Sequence, residues 1–174
     1  MMKRSYLITL TIFVVASSLP AQTNNPLINE SKDNFARVSG NLQKAAEAMP
    51  EENYSFKPTA DMRSFGQLIA HIADAQTRLC STALGQAKSV DAASKTAKAD
   101  LVAALKESSQ TCNSAFDSLT DANALQSVSL GPRQLSRLGA LIYNTTHSNE
   151  EYGYLSVYLR LKGIVPPSTA NRTK

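Results

Sequence analysis

Apolar side chains recur along most of this chain every three to four positions. From Glu30 to Met49 the apolar positions are Phe35, Val38, Leu42, Ala45, Ala46 and Met49, the period of an amphipathic helix. Pro50 ends that pattern. A second stretch, from Met62 to Leu84, carries Phe65, Leu68, Ile69, Ile72, Ala75, Leu79 and Ala83. Thr59 or Asp61 is placed to cap it, and Gly85 to stop it. A third, from Lys95 to Leu119, has Leu101, Ala104, Leu105, Ser108, Cys112, Ala115, Phe116 and Leu119 in register. The fourth and longest runs from Arg133 to Lys162, with Pro132 suited to its first turn and Gly163 closing it.

The intervening stretches are polar and about ten residues long. No alternating pattern persists, and Val128 to Leu130 is expected either to pair briefly or to plug one end of a bundle. Four amphipathic helices on such connections predict an all-α fold, an antiparallel four-helix bundle. The single domain is expected over residues 30–168. A linker at 22–29 precedes it and a frayed tail at 169–174 follows it.

The amino-terminal residues follow a different logic. Lys3 and Arg4 precede an apolar run from Tyr6 to Val15, then small residues up to Ala21. This is the layout of a secretory signal peptide, residues 1–21, with cleavage expected after Ala21 or after Ser18. The run is too short to span a bilayer comfortably, so no stable membrane anchor is expected after cleavage, and the mature chain is exported, periplasmic or secreted. Cleavage also changes the charge. The whole chain has 18 Lys and Arg against 14 Asp and Glu. Without Lys3 and Arg4 the balance is 16 − 14 = +2. No basic block remains to suggest nucleic acid. Asn29, Asn53, Asn144 and Asn171 each head an N-x-S/T triplet, relevant only where exported proteins are glycosylated.

Two cysteines, Cys80 and Cys112, leave two readings open. In an oxidising compartment they form a disulfide that closes a loop worth roughly 3 kcal/mol. Alternatively they are separate buried thiols. Both fall late in their helices, and late positions lie at opposite ends of an antiparallel pair.

The chain has only two histidines, each inside a long predicted helix: His71 in the second and His147 in the fourth. Glu151 lies four residues after His147, so both share a helix face. If the second and fourth helices are neighbours, His71, His147 and Glu151 form a two-histidine, one-carboxylate set for zinc, nickel, manganese or iron(II), with positions left open. The bland reading is a local hydrogen-bonded pair plus a half-buried histidine. Tyr143, His147, Glu150, Tyr154 and Leu161 lie near one face of the fourth helix, and Glu150 and Tyr154 are the candidates to orient a substrate. Arg63, Arg78 and Arg160 are candidates to neutralise an anion, although single arginines are ordinarily solvated. Two histidines provide little material for a Ser-His-Asp triad. The thiols have no neighbouring base in sequence.

Two blocks carry a resemblance. The first is Phe56-Lys57-Pro58-Thr59 followed by Met62 to Gln76, which contains His71. The second is His147-Ser148-Asn149-Glu150-Glu151-Tyr152-Gly153 followed by Tyr158 to Ser168. Together they resemble the DinB superfamily over roughly residues 30–168. The resemblance implies a four-helix bundle holding a divalent metal between its helices on three histidines. It also implies relatives that act as metal-dependent hydrolases or as transferases using thiols such as bacillithiol or mycothiol. His71 and His147 fall at two of the ligand positions. The third, four residues after His147, is Glu151 here. A carboxylate still binds zinc or a harder metal, and its charge makes a bound water less acidic than three imidazoles would.

Two functional readings follow. One is an exported metal-dependent hydrolase or transferase acting on a small molecule, with His71, His147 and Glu151 as ligands. The other is a non-catalytic bundle with a degenerate site, acting in binding or as a homodimer formed through an apolar helix face.

Overall fold

The computed structural model describes residues 25–86 and 88–170. The expected signal peptide lies outside them. Four long helices dominate: α1 (Pro26–Ala48), α2 (Phe65–Ala83), α3 (Lys98–Asp117) and α4 (Arg137–Leu161). Short 3-10 turns at Glu51–Asn53 and Ala92–Ser94 interrupt the connections. A small antiparallel hairpin, β1 (Ser127–Leu130) with β2 (Arg133–Ser136), precedes α4. No helix among the described residues is long and apolar enough to cross a membrane.

The helix ends differ from the sequence expectation where local hydrogen bonding outweighs periodicity. α1 starts at Pro26, inside the 22–29 stretch, because Asn25 Oδ1 accepts from the Leu27 and Ile28 amides and proline suits the first helical position. α2 is capped by neither Thr59 nor Asp61, which hydrogen-bond one another at 2.6 Å. Ser64 caps it instead. Its hydroxyl accepts from Gln67 N at 3.2 Å while Gln67 Oε1 accepts from Ser64 N at 2.9 Å, a reciprocal capping box. Gly85 and Gly163 do close α2 and α4: Gln86 N bonds Ser81 O, and Ile164 N bonds Leu159 O. Pro132 is not in a helix. With Gly131, whose φ of 58° is left-handed, it forms the two-residue turn of the hairpin, and α4 begins at Arg137 under the Ser136 hydroxyl. Both expectations for 128–130 apply, since the segment pairs with β2 while Val128 and Leu135 pack against the bundle end. At the tail, Thr169 receives a hydrogen bond from Arg160, and residues 171–174 lie outside the described part.

Contacts along the helices fix their directions. Gln76 meets Ser108 and Cys80 bonds Cys112. Each partner lies four residues further along its own helix, so α2 and α3 run in the same direction. Against α2, the partners on α4 fall in number as α2 rises: Tyr158 with Arg63, Ser148 with Gln76, Arg137 with Ala83. These two helices are antiparallel. Lys32 with Asp117, Ser39 with Ser109 and Lys98 with the Met49 carbonyl make α1 and α3 antiparallel as well. Two helices therefore run up and two down, and the connection from α2 to α3 must return along the bundle. This settles the cysteines. Their late positions coincide because the pair is parallel, with Cα atoms 4.8 Å apart and the disulfide formed. No free cysteine remains among the described residues.

The core has two apolar clusters. One centres on Leu42, Phe65, Ile69, Ile72, Leu105, Leu155 and Tyr158. The other holds Phe35, Phe116, Leu138, Leu141 and the disulfide. Ser39, Gln76, Ser108, Ser109 and Ser148 are also buried, and they join all four helices. Gln76 Nε2 donates to Ser148 Oγ at 3.1 Å. Ser108 Oγ donates to Gln76 Oε1 at 2.8 Å, and Ser39 Oγ donates to Ser109 Oγ at 2.9 Å.

Candidate metal centre

One turn along α2 from Gln76, toward its amino terminus, the antiparallel packing of α2 on α4 brings the two histidines together. His71 Nε2 lies 3.2 Å from His147 Nε2. Each of these nitrogens is 3.4 Å from Glu151 Oε1. The rings meet edge to face with centroids 5.1 Å apart. His147 and Glu151 come from successive turns of α4, while His71 reaches across from α2. No other group of three His, Cys, Asp or Glu side chains converges in this way among the described residues.

The triangle has the dimensions of a metal site. Donor atoms about 2.0–2.1 Å from a tetrahedral zinc lie about 3.3 Å from one another. Its electrostatics agree. Burial, the Arg63 charge and His147 hold His71 below its ordinary value of 6.5, against the opposing pull of Glu151. Its imidazole therefore keeps a free lone pair at neutral pH. Burial alone pushes the Glu151 carboxyl up. The contact with His147 and the charges of His71, His147 and Arg63 outweigh it, so the group stays ionised. Glu151 is nevertheless almost fully buried, with Oε2 lacking any hydrogen-bond partner, and His147 Nδ1 is likewise buried and unpartnered. A carboxylate and two imidazoles converging on one point form a donor set that a divalent cation satisfies.

Two cavities each have one member of this triangle in their wall. One, of about 600 Å³, is lined by Met62, Arg63, Leu68, Glu151, Tyr154 and Tyr158 together with Asp61. The other, of about 480 Å³, has His71 in its wall with Arg63 and Arg78. Tyr158 is buried and donates to the Arg63 carbonyl at 2.7 Å, fixing the backbone that carries the guanidinium. Burial raises the Tyr158 hydroxyl pKa, Arg63 opposes and Glu151 adds to the rise, so the phenol stays protonated.

The chain belongs to the DinB superfamily. The family model matches residues 34–155, more than half of the sequence. Among solved structures the DinB superfamily chain is similar to a DinB-like protein from Bacillus cereus, at 16% identity and a TM-score of 0.71, with 80% of this chain and 95% of that one covered. It is also similar to a DinB-like protein from Bacillus subtilis, at 18% identity and a TM-score of 0.62, covering 80% and 92% respectively. Those likenesses establish the DinB-like fold. Among curated proteins, none matches the chain. Glu151 stands where the resemblance implies a third histidine, and its carboxylate Oε1 faces both histidine nitrogens.

The other residues singled out by sequence divide clearly. Tyr154 lines the larger cavity. Glu150 is exposed and lines neither cavity, because the inward face of α4 here is Ser148, Glu151, Tyr152 and Leu155. Tyr143 is exposed and stacks under Arg133. Arg160 is tied to Thr169, away from the site. In sequence Tyr158 is one of four tyrosines around His147, open either to a hydrogen bond at the site or to packing. Its signal was position, one helical repeat of seven residues beyond Glu151 and hence on the same inward face.

Proposed function

We propose that this DinB superfamily protein is an exported, divalent-metal-dependent hydrolase or transferase acting on a small molecule. The observation that carries the reading is the triangle of His71, His147 and Glu151 donor atoms, 3.2–3.4 Å on a side, at the wall of two cavities. Three protein ligands leave positions free, the arrangement of catalytic rather than structural zinc sites. A divalent ion held there supplies Lewis acidity to a substrate or a water. The chain itself does the remainder. His71, its pKa held down chiefly by burial, and His147 present ring nitrogens toward the ion. Glu151 adds the negative charge that retains the cation. Tyr158 anchors Arg63 beside the reacting region, and Tyr154 lines the approach. Export is supported by the charged-then-apolar amino terminus and by the Cys80–Cys112 bond, which persists in oxidising compartments.

A second reading is favoured by Glu151 itself. A carboxylate in place of the expected histidine suits a bundle that kept the fold and lost the chemistry. Elemental analysis separates the two. The folded mature protein, reconstituted with zinc, nickel or manganese, is expected to hold close to one equivalent, and His147→Ala close to none. Less than about a tenth of an equivalent in the wild type would end the metal reading.

A further inference from the structure

The smaller cavity has a charge imbalance that metal binding leaves unused. Its wall is one face of α2, with His71, Asp74, Ala75 and Arg78 at helical spacing, closed by Arg63 and by Lys88. Three cations therefore face one acid. The acid is already committed, since Asp74 Oδ1 accepts from Ala92 N at 2.8 Å and Oδ2 from Ala93 N at 3.0 Å. Lys88 is committed too, to Glu107 at 3.2 Å and to the Thr111 hydroxyl at 3.2 Å. Arg63 and Arg78 are not. Among the described residues neither guanidinium has a carboxylate within ion-pair distance, although both line the same 480 Å³ space.

Arg63 also lines the larger cavity, beside Met62, Leu68 and Tyr154. His71 lines the smaller cavity and Glu151 the larger, and these two side chains, 3.4 Å apart, lie between them together with Arg63, which lines both. A molecule lying across both would have a charged end near two guanidiniums, its middle beside His71 and Glu151, and its remainder on apolar and aromatic side chains. Planar guanidiniums recognise oxyanions through paired N–H donors.

We propose that the substrate is a small organic anion. Its carboxylate or phosphate lies against Arg63 and Arg78, and its apolar or aromatic body lies against Met62, Leu68 and Tyr154. This rests on the metal-centre reading for what happens to the molecule, but not for where its charge is held.

Isothermal titration of the zinc-reconstituted protein tests it, using inorganic phosphate, succinate and 3-phenylpropionate, with the uncharged 3-phenylpropanol as control. The expected result is saturable binding of 3-phenylpropionate at least tenfold tighter than that of the alcohol. In an Arg63→Ala, Arg78→Ala variant the acid should lose that advantage while the zinc content and the weak binding of the alcohol stay the same. The single variants Arg63→Gln and Arg78→Gln, each expected to lose severalfold in acid affinity, keep the test decisive if the double variant does not fold. Tighter binding of phosphate than of succinate assigns a phosphate ester, and the reverse a carboxylate. Equal binding of acid and alcohol, no saturable anion binding, or full acid affinity in the double variant overturns the proposal. Zinc content measured on the same samples, and repetition on zinc-free protein, separate the two readings. Anion binding through the arginines by protein that takes up no zinc on reconstitution removes the metal centre alone, and zinc uptake without anion binding removes this inference alone.

Discussion

Two buried polar clusters cross this bundle about 7 Å apart along α2, and they are built to opposite rules. Around Gln76 the side chains satisfy one another. The amide donates to Ser148 and accepts from Ser108, and Ser39 extends the chain to α1 through Ser109. Around His71 they do not. Two imidazole nitrogens and a carboxylate oxygen converge, while Glu151 Oε2 and His147 Nδ1 have no partner. A closed polar network rigidifies a core and specifies how its helices register. An open one costs stability until something completes it. The difference teaches which of the two clusters waits for a ligand, although both are equally polar and sit in the same fold.

The sharpest way to break the comparison is to supply the missing partner. Zinc at about a thousand times its dissociation constant should stabilise the wild type by about 4 kcal/mol in denaturant melts. Chelator should remove that gain, and His147→Ala should never show it. If zinc leaves the wild-type melt unmoved, the two clusters are of one kind. Gln76→Ala tests the other side. It leaves buried hydroxyls without their shared partner and a cavity behind, so a loss of about 3 kcal/mol is expected with or without metal. The zinc-dependent gain should survive in that variant, and its disappearance would show that the clusters act as one. Glu151→Gln keeps the shape and removes the charge. In the zinc-free protein stability should change by only about 1 kcal/mol, whereas zinc affinity measured by competition with a chelator should fall at least tenfold.

The smallest effect expected is on pH dependence without metal. The folded state holds His71 below 6.5, so the unfolded chain takes up a proton first. The stability it contributes is complete above about pH 6.5 and is lost as pH falls below it. Glu151, also held low, adds a loss of the same sign at more acid pH. Zinc-free protein should therefore melt earlier as pH drops below 6.5, and His71→Gln should flatten that part of the profile. A wild-type profile that stays level there would mean that the cluster is not closed to protons in the way its burial implies.

Much of the architecture was legible in the chain because helix formation is governed by neighbours three and four residues away. The apolar period marks all four helices, and the His147–Glu151 pair shares a face through the same arithmetic. Helix starts were less legible. At Ser64 and at Gly131-Pro132 a cap and a turn, each set by a few hydrogen bonds, displaced boundaries that periodicity had drawn too early. The candidate site was legible in its residue types but not in its surroundings. Glu150 and Glu151 are adjacent in sequence, and only packing decides that Glu151 turns inward and Glu150 outward.

What the sequence determined by itself is the set of amphipathic rods and the scarcity of metal-binding side chains: two histidines, one of them a turn from a carboxylate. What only the tertiary structure decided is how the rods are directed. That α2 runs parallel to α3 and antiparallel to α4 closes the Cys80–Cys112 bond, brings His71 to His147 and leaves Arg63 between two cavities. The reason is physical. A helix face specifies that it must be covered but not which partner covers it or in which direction, since that choice rests on contacts between residues far apart in the chain.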